Sequence, residues 1–198
     1  MFAAFILIFF VIAYRVLTGV WGGGSDWLPN FAPLTALVLC GAALLPVRRA
    51  AWIPLVALLV SDLILNAYFG FSSFSIWMLA QYVAYAAIFA VGLAVRRAGK
   101  ARSLLTMLLA TIGAGLAFYL FTNSISWITE PGYAKNFAGW LQAVTVGLPG
   151  FPPAWLFYRN ALVSDLIFVT LFHLCVLGLP RKAEALTTAP VVVTGATR

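Results

Sequence analysis

Six apolar runs constrain this chain more than any other feature. They cover residues about 2–20, 31–46, 52–70, 74–95, 103–122 and 157–179. About 20 apolar residues in a row are enough for a helix to cross the hydrocarbon core of a bilayer. Charged residues make up only 9% of the chain, where a soluble domain carries about 25%. Too few polar side chains exist to cover a globular surface. A disordered chain, a coiled coil and an ordinary soluble domain are thereby excluded. The expected fold is all-α: a polytopic membrane protein with one bundle of six transmembrane helices over residues 1–180. Residues 181–198 are rich in Thr, Ala and Val and are expected to form a disordered tail.

The first run could be mistaken for a secretion signal. No basic segment precedes it, Arg15 interrupts it, and no small-residue cleavage site follows. A retained helix is expected. The second run is short and follows Pro29-Asn30-Phe31-Ala32-Pro33, a rigid turn into a helix. Gly113 and Gly115 in the fifth run, with the Ala110/Ala114 and Ala80/Ala84 pairs, suit close helix approach.

The few charges sort by loop. Arg48 and Arg49 follow the second run; Arg96, Arg97, Lys100 and Arg102 follow the fourth; Arg181, Lys182 and Arg198 follow the sixth. The remaining loops hold Lys135 alone. Lys and Arg collect on the cytoplasmic side, so both termini are expected there, in a bacterial cytoplasmic (inner) membrane. A reporter fused after Leu186 and found outside the cell would overturn this. The same sorting accounts for the net charge of +7 without nucleic acid. Cys40 and Cys175 lie inside apolar runs without metal-ligand spacing, so neither a disulfide framework nor a metal site is expected.

The segment 123–156 is the longest between runs. Tyr133 to Leu148 fits a short interfacial helix with Phe137, Trp140, Leu141 and Val144 on one face. A small echo joins Val60-Ser61-Asp62-Leu63-Ile64 to Val163-Ser164-Asp165-Leu166-Ile167. An inverted repeat would place such copies in matching helices. Five residues from so apolar an alphabet also recur by coincidence.

Asp62 and Asp165 fall near mid-membrane. An aspartate there costs about 2.5–3.5 kcal/mol on insertion scales, so each must face the bundle interior. They form either the floor of a polar pocket or hydrogen-bonded glue between helices. Asn66 shares a helix face with Asp62. Asn123, Ser124 and Ser126 end the fifth run on the outer side, and Tyr158, Arg159 and Asn160 open the sixth. Arg159 suits an anionic ligand group, or snorkelling to headgroups. Six of seven tryptophans (Trp21, Trp27, Trp77, Trp127, Trp140, Trp155) fall on the outer side, joined by Tyr119 and Tyr133, with Trp52 opposite. An ordinary aromatic belt populates both interfaces. The imbalance favours an aromatic-lined outer pocket for a ring-containing small molecule.

No catalytic motif is present. Gly99-Lys100 is followed by Ala101, so there is no phosphate-binding loop, and the lone His173 reads as a packed residue. An enzyme is not expected, and no cofactor is implied.

Leu28-Pro29-Asn30-Phe31-Ala32-Pro33-Leu34-Thr35-Ala36-Leu37 resembles the opening of substrate-binding S components of energy-coupling factor (ECF) transporters. Trp77-Met78-Leu79-Ala80-Gln81, Phe118 to Trp127 and Tyr158-Arg159-Asn160-Ala161 resemble later parts of the same pattern, over about residues 28–178. The chain is also similar to small uncharacterised bacterial membrane proteins assigned to transport. The resemblance implies a six-helix fold with an outward substrate site, and a partner made of a transmembrane coupling subunit with two ATPases. It implies a vitamin or vitamin precursor, such as cobalamin, as substrate. It implies docking through small residues, for which Ala32, Ala36 and Cys40 are spaced, though on the second helix rather than the first.

On this reading Asn30, Trp77, Gln81, Asn123, Trp127, Tyr158, Arg159 and Asn160 line the substrate. Two other readings stand beside it. A solitary or proton-coupled carrier would use Asp62 and Asp165 as titrating groups. A non-transport assembly protein would use the bundle only as a scaffold.

Overall fold

The computed structural model describes residues 9, 12–20, 33–70, 72 and 75–177, with the backbone alone for 47–50. All regular structure among them is helical. The helices are α1 (residues 12–20), α2 (Leu34–Leu44), α3 (Val47–Phe69), α4 (Ile76–Arg97), α5 (Leu104–Thr129), α6 (Phe137–Ala143) and α7 (Ala154–Leu177). The tail at 181–198, Asn30 and Ala32 lie outside the described residues.

Four helices are long and apolar enough to cross a membrane: Ala51–Phe69, Ile76–Arg97, Leu104–Thr129 and Ala154–Leu177, with mean hydropathies of 1.7 to 2.0. Their exposed side chains are large hydrocarbons such as Leu59, Leu79, Leu105 and Leu171. Such a surface matches lipid, not water. This is the architecture of a membrane-embedded, multi-helix protein. Arg96, Arg97, Lys100 and Arg102 gather where α4 turns into α5, forming a basic pole. The far pole holds the α5–α6–α7 connections.

The second expected span is corrected. α2 has 11 residues, about 16 Å of helix, roughly half a hydrocarbon core. Pro33 starts it, and Leu45 in extended conformation before Pro46 stops it. Ten of its eleven residues are buried. Its partners are α4, α3, α7 and α5 rather than lipid. Leu39, Cys40, Ile88, Met107 and Val169 form one core around it, and Leu34, Leu37, Ile53, Ala57 and Leu58 form another. The approach to α4 is tight at Gly92, where an added Cβ would lie 2.7 Å from both Ala42 Cβ and the Leu39 carbonyl oxygen.

This packing also relocates the small residues assigned to partner docking. Ala36 is 2% exposed and Cys40 0%, both covered by the chain's own helices. They serve the internal packing of α2. Gly113 and Gly115 are not contact points either, because nothing lies within 4 Å of a Cβ added at them.

α5 runs one to two turns beyond the expected end at 122. Its polar residues bond back to their own helix. Asn123 Nδ2 donates to the Tyr119 carbonyl (2.9 Å), and Ser124 Oγ donates to that of Leu120 (2.7 Å). Polar side chains satisfied in this way need not end a helix. Glu130 does end it, held extended by Pro131. Lys135 then reaches back to the carbonyls of Trp127 and Glu130 (2.5 and 2.6 Å).

A short helix forms in this segment, but over seven residues only. α6 packs inward through Gly139 and Ala143, while Phe137 and Leu141 point outward. A Cβ at Gly139 would collide with the Ala134 carbonyl oxygen, so only glycine fits against that turn, while Trp140 is the large side chain that reaches α5. Asn136 caps α6, accepting from Gly139 N–H (2.9 Å).

Candidate functional site: a cavity among α1, α2, α4, α5 and α7

Two internal stripes build the site. On α5, Gly115, Phe118, Tyr119, Thr122, Asn123 and Ser126 recur at the spacing of one helix face. On α7, Ala154, Phe157, Tyr158, Ala161, Leu162 and Asp165 recur at the same spacing. The two stripes face a cavity of about 700 Å³. Gln81 and Tyr85 of α4 line another side, and Arg15, Thr18 and Gly19 of α1 a third. Leu34 and Thr35, at the first turn of α2, and Asp165 lie at its inner end. Glu130, Tyr133, Leu148 and Phe151 lie at the far pole.

The rings are packed. Tyr119 and Tyr158 lie 5.1 Å apart between centroids, and Tyr85 and Phe118 lie 4.9 Å apart. The Tyr119 hydroxyl donates to the Val144 carbonyl (2.6 Å) and the Trp140 indole to Ser124 Oγ (2.9 Å). These bonds pin α6 and its flanks over the end of α5. Burial, with help from the nearby Glu130 carboxylate, pushes the Tyr133 phenol up from its ordinary pKa.

Both membrane aspartates are tied to another helix. Arg15 Nη1 lies 2.5 Å from Asp62 Oδ1 and donates to Ser61 Oγ (2.6 Å). The Tyr82 hydroxyl donates to Asp62 Oδ2 (3.2 Å). Asp165 instead meets the first turn of α2: the Ala36 N–H donates to its Oδ1 (2.9 Å), and the Thr35 hydroxyl donates to the same carboxylate. Pro33, the N-cap residue of α2, offers no side-chain cap, so Asp165 supplies one from α7.

The chain belongs to the DUF6580 family. The family model, described as a family of unknown function, matches residues 1–186. No curated protein and no solved structure matches the chain.

In this DUF6580 member, the cavity gathers part of the expected residue set. Gln81, Asn123 and Tyr158 line it, and Asp165 reaches its inner end. Trp77, Trp127, Arg159 and Asn160 are not among its lining. The Trp127 indole donates to the Ala134 carbonyl (2.8 Å). Arg159 lies 5.4 Å over the Trp155 ring and donates to Asn160 Oδ1 (3.0 and 3.1 Å). Asp62 and Asn66 are outside the lining too, although the Arg15 partner of Asp62 is in it. The aromatic lining is therefore Tyr and Phe; no tryptophan among the described residues contributes.

Sequence reasoning missed Arg15, Tyr85, Phe118, Thr122, Glu130 and Phe157, whereas Tyr119 and Tyr133 belong to the outer aromatic group that it set apart. The stripes were visible signals. A face of Gly, Tyr, Thr, Asn and Ser on a helix otherwise rich in Leu, Ile and Phe cannot be for lipid. Arg15 was also signposted, since an arginine inside an apolar run calls for a buried acid.

Proposed function

We propose that this chain is a membrane-embedded substrate-binding subunit for uptake of a small organic molecule. The cavity carries this reading. Its volume of about 700 Å³ lies within the range of small-molecule sites, roughly 300–1,000 Å³. Its walls alternate rings with hydroxyl and amide groups, which stack on and orient a partly apolar ligand. We read the basic pole as cytoplasmic; on that reading the Glu130 end of the cavity faces outward and both termini are on the cytoplasmic side of a bacterial inner membrane. The resemblance to ECF S components supports release through a separate ATP-driven coupling module, with a vitamin-like substrate. The pairing of Asp62 with Arg15 weighs against a carrier that titrates both aspartates.

Native mass spectrometry of the gently purified protein tests the reading. A co-purifying small molecule, or a vitamin panel member that raises the melting temperature, is the expected result. Protein that retains nothing and is stabilised by none of the panel overturns it.

A further inference from the structure

We infer that the cavity takes an organic cation, a ring-bearing molecule whose positively charged nitrogen sits against Asp165. The inference rests on the small-molecule reading above and adds the charge of the ligand.

Four observations carry it. First, three charged groups line the cavity: Arg15, Asp165 and Glu130. Arg15 is already neutralised, by Asp62 at 2.5 Å. Among the described residues no cation lies within ion-pair distance of Asp165 or Glu130. Lys135, nearest in sequence to Glu130, gives its hydrogen bonds to backbone carbonyls instead. Second, Asp165 is 2% exposed and receives the Ala36 N–H and the Thr35 side-chain hydroxyl, both from the first turn of α2, and no charged partner. A helix N-terminus offers about half a positive charge, which offsets a buried carboxylate only in part.

Third, the repeated Ser-Asp dipeptide supplies an internal comparison. Ser61 and Asp62 together hold a guanidinium nitrogen. Ser164 and Asp165 hold no cation, and the fully buried Ser164 Oγ has no hydrogen-bond partner among the described residues. Fourth, four tyrosines and three phenylalanines line the walls between Asp165 and Glu130. Ring faces attract cations, and carboxylates at both ends complete the preference.

Matched probes test the charge separately from the cavity. Phenethylammonium, phenethyl alcohol and phenylacetate share a ring and a chain length. Each is titrated into the purified full chain at pH 7, with binding read by titration calorimetry and melting temperature. Phenethylammonium is expected to bind on the order of tenfold tighter than the other two, as for one charged hydrogen bond. Asp165→Asn keeps an acceptor for the Ala36 N–H and is expected to abolish that preference. Glu130→Gln, at the opposite end of the cavity, is expected to reduce it by a smaller factor. If Asp165→Asn does not fold, the wild-type series and Glu130→Gln decide. Tighter or equal binding of the alcohol or of phenylacetate overturns the cation while leaving small-molecule capture standing. A preference that survives both substitutions overturns the carboxylate assignment. Binding of none of the three overturns the ring-bearing cation, while the small-molecule reading stands or falls on the co-purification and vitamin-panel test.

Discussion

The Asp165 carboxylate on α7 caps the amide of Ala36 on α2, across 129 residues of sequence, at 2.9 Å. With the Thr35 hydroxyl bonded to the same carboxylate, this cap joins the start of a half-length helix to the middle of a full-length one. Replacing Asp165 with Ala leaves the Ala36 N–H buried without an acceptor. The expected cost is about 1–3 kcal/mol. Asp165→Asn retains the acceptor and should cost less. Thermal unfolding of the two variants in one detergent checks the order; equal losses would show that the cap does not matter.

The Arg15–Asp62 pair makes a different prediction, because both partners are largely buried. Removing either alone strands the other, at roughly 3–5 kcal/mol. Arg15→Met or Asp62→Leu is therefore expected to lower folded yield sharply. The double variant Arg15→Met/Asp62→Leu should recover most of the loss. Size-exclusion profiles and melting temperatures of the three proteins measure the coupling.

Gly92 tests the tight approach of α4 to α2. Alanine improves helix propensity by about 1 kcal/mol, yet here its Cβ would press on Ala42 and on the Leu39 carbonyl. Gly92→Ala should be destabilising by roughly 1–3 kcal/mol, since overpacking wins over propensity. Gly113→Ala, facing open space, should be neutral or stabilising. Opposite signs in paired melting curves are the expected result.

Gly115 separates ligand binding from folding. It lines the cavity, and nothing lies within 4 Å of an added Cβ. Gly115→Leu should leave the melting temperature of the empty protein nearly unchanged. It should also remove stabilisation by any ligand that occupies the cavity. A ligand shift that survives Gly115→Leu would place the ligand elsewhere.

Much of the fold could be read from apolar run length, and the reasons for the exceptions are physical. Hydropathy marked α3, α4, α5 and α7 because lipid-facing helices need long apolar stretches. It also marked α2 as a span, because a helix buried on all sides by protein is as apolar as one facing lipid. Asn123 and Ser124 looked like the end of α5, yet their i−4 bonds keep them helical. The site was partly legible. Gln81, Asn123, Tyr158 and Asp165 drew notice as polar residues out of place, and the cavity contains all four. Trp127 and Arg159 drew the same notice but are bonded to the local chain. Side-chain identity could not tell the two groups apart; position on the α5 and α7 stripes does.

The shortness of α2 bears on how the chain is made. Its first turn is capped by Asp165 of α7, and the carbonyl of Leu45 just past its last turn accepts from Arg96 at the end of α4 (2.7 Å). Both caps are synthesised after α2. While the chain is emerging, α2 has neither the length to cross the bilayer alone nor partners for its end groups, which a hydrocarbon core penalises. Its insertion must therefore await the later helices. A nascent chain halted before Ala154 is expected to hold α2 where a protease or a water-soluble label can still reach it, and a full-length chain to hide it.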